Sequence, residues 1–346
     1  MIQPTPIPGQ HPGYGIALMP AEWQIDLARA VSDPAELLRL LELDPELLEP
    51  ARAAAREFPL RVPRAFVARM HKHDPDDPLL RQVLPIGAEL TEALGFSNDP
   101  VGDLASRAAH GVLHKYYGRV LLITTGACAV NCRYCFRRHF PYSEENARSN
   151  QWQTALQYIS GDPSIHEVIL SGGDPLSLAD SALAPLAAAL AQIPHLRTLR
   201  IHSRQPVVLP SRVDAGLMGW LQECRLRKVV VLHANHAQEI DADVAAAVVR
   251  LKTAGATVFN QSVLLKGVND SVDALAALSE ALFAVGVIPY YLHLLDRVQG
   301  AAHFEIGENR ARELMRGLRA RLPGYLVPRP VREVAGAASK IPLSEP

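Results

Sequence analysis

Val120-Leu-Leu-Ile-Thr-Thr-Gly-Ala-Cys128-Ala-Val-Asn-Cys132-Arg-Tyr-Cys135-Phe136 is the stretch from which the rest of the chain can be read. Its first part is a short apolar run, the pattern of a strand covered on both faces. Its second part places three of the chain's four cysteines on a C-x3-C-x2-C loop directly after that strand. Three thiolates so close in sequence can hold three corners of a four-iron cluster and leave the fourth iron without a protein ligand. A small molecule can bind at that iron and receive an electron. Zinc is the rival ion, because His139 follows Cys135 closely enough to complete a Cys3His set. Structural zinc usually staples small modules, however, and this loop ends a strand inside a long chain. Four cysteines in 346 residues do not make a disulfide framework. Cys224, beside Trp220 and Leu221, reads as a buried apolar filler.

Outward from this strand (Val120–Thr125) the same rhythm repeats. Glu167–Ser171, Thr198–Ser203, Lys228–His233, Thr257–Leu265 and Ile288–Leu295 are further short runs of strand character. Between them lie the helical stretches Leu183–Ala191, Val244–Lys252 and Ala274–Val285. A strand about every 30 residues is the length of a βα unit. Six such units, with a seventh strand at Tyr325–Val331, predict an α/β fold of the partial (βα)6 TIM-barrel type. The strand ends favour a barrel over an open doubly wound sheet. They carry Cys128, Asp174, His202 and Arg204, His233 and His236, Gln261, and His293 with Asp296. In a barrel these ends converge on one mouth, whereas an open sheet concentrates polar function at one switch point.

The barrel core is expected over residues 111–325, with a helical region before it at 1–110 and a C-terminal segment after it at 326–346. In the first region Ala21–Ala30, Pro34–Leu41, Pro45–Phe58 and Arg61–Met70 carry apolar residues at helical spacing. Asp33-Pro34 and Asp44-Pro45 are helix-start signals, and Asp74–Pro78 is a turn. A net charge of −1 makes no electrostatic case for nucleic acid or for an anionic membrane. Met1–Pro6 lacks the basic and apolar segments of a signal peptide, and no apolar run approaches the roughly 20 residues that span a bilayer. Free cysteines then point to reducing cytoplasm.

Several strand ends carry chemistry of their own. In Ser171-Gly172-Gly173-Asp174 the glycines let backbone approach a ligand, and Asp174 can accept a hydrogen bond from an ammonium or hydroxyl. Alone this is an ordinary tight turn; one barrel step from the cysteine loop, it is a candidate ligand loop. Arg204, with Lys115 and Arg119 flanking the first strand, suits a phosphate at the mouth, against the plainer alternative of solvated surface charge. Lys340, in the small-residue tail Ala335-Gly-Ala-Ala-Ser339, is by itself an ordinary solvated lysine. On a supple segment it can also swing into the mouth and form an imine with an aldehyde cofactor.

The cysteine loop and the Gly-Gly-Asp segment resemble the radical S-adenosylmethionine (SAM) enzymes. The likeness narrows through Leu113-His-Lys-Tyr116, Cys128 to Pro141, Ser171 to Leu176, Arg200 to Arg204, Asn260 to Leu265, Pro289 to His293, Gln299 to Phe304 and Ser339-Lys340. Over nearly its whole length the chain resembles the lysine 2,3-aminomutase family. Within it, the likeness is greatest to the branch that makes (R)-β-lysine for modification of translation elongation factor P. The resemblance implies that Cys128, Cys132 and Cys135 ligate a [4Fe-4S] cluster and that Gly172, Gly173 and Asp174 hold SAM. It implies that Lys340 carries pyridoxal 5′-phosphate (PLP), with Arg204 and Lys115 at the phosphate or ring. Arg137 would pair with the carboxylate of L-lysine, and Asp296 and Glu333 with its ε-ammonium. An electron donor, and a ligase that passes β-lysine to elongation factor P, are the implied partners. The tail departs from the free-lysine enzymes: Glu333 stands where they have an aspartate, and the segment before Lys340 is less rich in glycine. Two other readings remain: a free β-lysine producer, and a PLP-independent radical enzyme acting on a macromolecule.

Overall fold

The computed structural model describes residues 20–145 and 152–343. The expectation for Met1–Pro6, and the last residues of the C-terminal segment, lie outside the described residues. Ten strands form one sheet in which the spatial order is the chain order. β1 (Arg107–Ala109), β2 (Val112–Tyr116) and β3 (Arg119–Thr125) make an antiparallel meander. The sheet then runs parallel through β4 (Glu167–Gly172), β5 (Thr198–Ser203) and β6 (Arg227–Leu232). It continues through β7 (Ala256–Val263), β8 (Ile288–His293) and β9 (Arg329–Arg332). β10 (Ile341–Pro342) returns antiparallel on β9. Among the described residues no pairing joins the first strand to the last, so the barrel is partial.

Helices Gln153–Gly161, Asp180–Gln192, Ala215–Glu223, Ala242–Thr253, Val272–Ala284 and Glu308–Arg321 follow the successive parallel strands. Alternation along each strand decides which residues they cover. On β5, Leu199 and Ile201 are buried in the core shared with Leu186, Leu190, Leu217 and Leu221. Arg200 and His202 therefore fall on the opposite, inner face. Aspartate and serine caps start several of these helices: Asp214 accepts from Leu217 N, Asp241 from Val244 N and Ser271 from Ala274 N. Each contributes about 1 kcal/mol.

The N-terminal part is mainly helical, and the two Asp-Pro signals act as expected. Asp33 caps Pro34–Leu40, and Asp44 caps a short 3-10 turn at Pro45–Leu47 that leads into the helix Leu48–Glu57. Two expectations need correction. The helix expected over Arg61–Met70 shrinks to Arg64–Val67, because Val62 pairs with Val31 and Pro63 offers no N–H to an earlier turn. The seventh strand begins at Arg329 rather than Tyr325, since Gly324–Leu326 is a 3-10 turn. The first strand also starts before residue 110. Leu37, Phe66, Leu79 and Leu80 form a core with Ala129 and Val130 of the cysteine loop and with Val208 and Leu209 after β5. The helices therefore brace the cysteine loop from behind. No helix among the described residues is long and apolar enough to cross a membrane.

Candidate active site

The cysteine loop leaves the C-terminal end of β3 and is held by buried cations on both sides. Arg133 donates from Nε to Glu89 Oε1 at 2.8 Å, and Arg138 from Nη2 to Glu89 Oε2 at 3.0 Å. Both guanidiniums lie over the Phe58 ring. Arg204 approaches from β5, donating from Nη1 to Cys132 Sγ at 2.8 Å and from Nη2 to Gln82 Oε1 at 2.6 Å and Glu239 Oε2 at 3.0 Å. Cys128, Cys132 and Cys135 are free thiols, each half-buried. Burial first, and then the neighbouring cysteines, push the Cys128 thiol well up and Cys135 up to about 11. Such a crowded set of sulfurs ionises together only around positive charge, which a metal cluster supplies.

Spacing decides which metal. Zinc–sulfur bonds of ~2.3 Å put tetrahedral ligands about 3.8 Å apart. Among the described residues, the one group of His, Cys, Asp or Glu ligand atoms lying within 4.8 Å of one another is His71, Asp74 and Asp77. The three sulfurs do not form such a group, so no single-ion set stands preformed on the loop. His139, the fourth ligand of the zinc alternative, turns its Nε2 to Gln299 O at 3.3 Å. The donor set fits a cluster.

Next to this loop the Ser171–Asp174 segment is fixed by its backbone. Gly173 N donates to Thr125 O at 2.7 Å and Asp174 N to Ala127 O at 2.8 Å. Gly172 has φ +115°, and a Cβ on Gly173 would stand 2.5 Å from Ala127 O. Glycine is required here for close packing of the two loops as much as for a ligand. The Asp174 carboxylate is not aimed at a ligand. Its oxygens accept from Leu176 N at 3.0 Å, Ser203 Oγ at 2.7 Å, Arg204 N at 2.8 Å and Gln205 N at 3.1 Å. It ties the end of β4 to the end of β5.

Around the mouth, Lys340 is not on a loose tail. It directly precedes β10, and Glu333 directly follows β9, so the β9–β10 hairpin sets the two side by side. Lys340 Nζ donates to Glu333 Oε2, and Lys115 Nζ reaches Glu333 Oε1 at 3.1 Å. Burial raises the Glu333 carboxyl, but the Lys340 and Lys115 ammoniums outweigh it and hold it at about 2. Burial, reinforced by the Glu333 charge, instead drives Asp296 up to about 7 against the pull of Lys340 and Lys115. Arg137 is buried, donating from Nε to Asp103 Oδ2 at 2.6 Å and from Nη1 to Ser171 Oγ at 3.2 Å. His202 and His293 are kept neutral, first by burial and further by cations that include Lys340. The Nε2 of each is buried without a partner among the described residues. Buried orphan nitrogens beside an amine fit a polar cofactor bonded to Lys340.

Known proteins agree with this geometry. Over 323 residues, 93% of the chain, the sequence is 51% identical to the L-lysine 2,3-aminomutase of Escherichia coli (strain K12), covering 94% of that protein. The chain belongs to the lysine 2,3-aminomutase family. Identity to the L-lysine 2,3-aminomutase of Haemophilus influenzae is 47%, with 96% of it covered. It is 32% to that of Clostridium subterminale, with 77% covered, in each case over 93% of this chain. A family model described as a 4Fe-4S single cluster domain matches residues 117–198, which hold all three loop cysteines. The chain is thus an isomerase of that family, and its matched domain is that of a single 4Fe-4S cluster.

Of the expected site residues, the structure brings Lys115, Glu333 and Lys340 together, and sets Arg137 against Ser171 of the Gly-Gly-Asp segment. It separates Arg204 from them, since that guanidinium is spent on Cys132, Gln82 and Glu239. Sequence reasoning about the aminomutase missed Glu89, Glu239 and Asp103. Each is an acid paired to a distant arginine, and no local pattern announces such a pairing.

Proposed function

We propose that the chain converts L-lysine to (R)-β-lysine, which a separate ligase attaches to a lysine of translation elongation factor P. The observation that carries lysine as substrate is the opposed charge of two groups of residues. Asp296 and Glu333 offer two carboxylates beside Lys340, and Arg137 offers a guanidinium edge at the cluster side. Such a site suits a substrate with an ammonium at one end and a carboxylate at the other, and it repels a side-chain carboxylate. The Glu333 side chain and the Ala-Gly-Ala-Ala-Ser tail support the elongation-factor branch.

Cys128, Cys132 and Cys135 would hold the cluster, the backbone of Gly172 and Gly173 would lie along SAM, and Lys340 would bond PLP. Arg204 moves to the cluster side as a counter-charge to Cys132, and the Lys115 ammonium is likewise engaged, by Asp103, Val101 O and Glu333, so neither stands free for the phosphate. When bound, the cluster with SAM supplies a hydrogen-abstracting carbon radical, fed by a one-electron donor, and PLP supplies a reversible covalent hold on the migrating nitrogen.

The chain's own groups orient and shield. Arg137 takes the substrate carboxylate, and Glu333 and Asp296 take the ε-ammonium, which fixes the chain of carbons between them. Of the two acids, Asp296 is able to accept a proton near neutrality, and Glu333 remains a fixed anion.

The test is an anaerobic assay of the purified protein with L-lysine, SAM, PLP and dithionite, followed by chiral analysis. (R)-β-lysine supports the proposal, whereas the opposite enantiomer places the chain among producers of free β-lysine. Lys340→Ala is expected to keep the brown iron–sulfur chromophore and to form no β-lysine. Normal turnover by that variant overturns the PLP assignment.

A further inference from the structure

Asp103 lies between the two charged groups just described. It is 2% exposed, and each of its oxygens holds a different cation. Oδ2 accepts from Arg137 Nε at 2.6 Å, and Oδ1 faces Lys115 Nζ at 2.6 Å. Lys115 in turn reaches Glu333, which holds Lys340. A continuous row of alternating charge thus runs from the cysteine loop to the β9–β10 hairpin: Arg137, Asp103, Lys115, Glu333, Lys340.

The turn that carries Asp103 touches both ends of this row. Val101 O accepts from Lys115 Nζ at 2.8 Å. Gly102, with φ +66°, packs so closely on the hairpin loop that a Cβ there would stand 2.9 Å from the Ala335 Cβ. Around Arg137 the effect is directional. Asp103 occupies the Nε edge, Ser171 takes Nη1, and the Phe136 ring lies 4.7 Å below the guanidinium carbon. Among the described residues no acceptor is bonded to Nη2, the nitrogen left to donate to a carboxylate.

We propose that Asp103 is a positioning residue for the substrate carboxylate: it orients Arg137 and sets its distance from the Lys115–Glu333–Lys340 row. This rests on the assignment of Arg137 to that carboxylate. Asp103 has both of its carboxylate oxygens engaged, by Arg137 and Lys115. It acts by holding two cations that would otherwise repel and turn.

Calorimetric titration of L-lysine into the PLP-loaded full-length protein tests this, alongside kcat, KM, iron and sulfide content and thermal midpoint. Asp103→Asn is expected to raise the lysine Kd and KM at least about tenfold while changing kcat less than about threefold, with iron, sulfide and midpoint retained. Asp103→Glu is expected to recover a large part of the affinity. An unchanged Kd in Asp103→Asn overturns the proposal. So does an equal loss of iron and midpoint in both variants, which marks a purely structural acid. Arg137→Ala separates the layers: if it binds lysine normally, the substrate assignment itself falls. If it loses lysine while Asp103→Asn does not, the positioning role alone falls.

Discussion

Two neighbouring carboxylates show how much a single residue's surroundings decide. Glu333 sits against two ammoniums and stays ionised down to about 2, whereas burial and the Glu333 charge lift Asp296 to about 7. The stability contributions have opposite signs. Asp296, raised above its ordinary value, contributes fully in acid, and that contribution is lost as pH rises through about 7. Glu333, depressed, contributes above the ordinary carboxylate range and loses this as pH falls toward about 2. On the proposed assignment of Asp296 to the substrate ammonium, only its ionised form attracts that group. The kcat/KM for L-lysine should therefore climb with pH through about 7, since that ratio reports the free enzyme. Asp296→Asn should remove this inflection and cost about 2–5 kcal/mol in kcat/KM, read from pH–rate profiles of both proteins. A profile of unchanged shape in the variant assigns the ionisation elsewhere. The sequence displayed both acids and Lys340, but not their difference, which arises from depth and from which cation each side chain meets.

At the scale of elements, two loops behave as one. The Gly-Gly-Asp turn and the cysteine loop are joined by backbone hydrogen bonds from Gly173 and Asp174, and Tyr142 Oη donates to Gly172 O at 2.8 Å. Gly173→Ala would drive a methyl into the Ala127 carbonyl, where backbone has little room to yield. It should lower stability by about 1–3 kcal/mol and sharply reduce SAM cleavage, seen in a melting curve and in 5′-deoxyadenosine release. Full cleavage by this variant would show that the loops need not touch. Strand positions and the cysteine loop were legible because short apolar runs and close cysteine spacing are local signals. The Asp174 brace was not, since its partners Ser203, Arg204 and Gln205 come from the next strand end. The hairpin was hidden for a related reason: β10 is two residues long and includes Pro342, so nothing in it reads as a strand.

Across the whole molecule the N-terminal helices and the barrel share buried ions as well as an apolar core. Glu89, from the first region, pairs with both Arg133 and Arg138 of the cysteine loop. Removing one partner of a buried ion cluster strands the others, at about 3–5 kcal/mol. Glu89→Gln is expected to lower the thermal midpoint and the iron content together, measured by calorimetry and metal analysis. Retention of both would mean that the region packs on the loop without governing it. The helical character of this region was readable from spacing and Asp-Pro starts. Its task was not, because Glu89 meets the loop across 44 positions of sequence.

Strand order that follows chain order has a consequence for biosynthesis. A growing chain exposes its sulfur ligands about 200 residues before the amine of Lys340 has been made. At usual ribosomal speeds that interval is on the order of 10–40 s. On the proposed assignments, iron and sulfide could be seated on a nascent polypeptide, while the vitamin-derived aldehyde would have nothing to bond until the final hairpin closes. Capture of that aldehyde would then report a chain made through its β9–β10 hairpin.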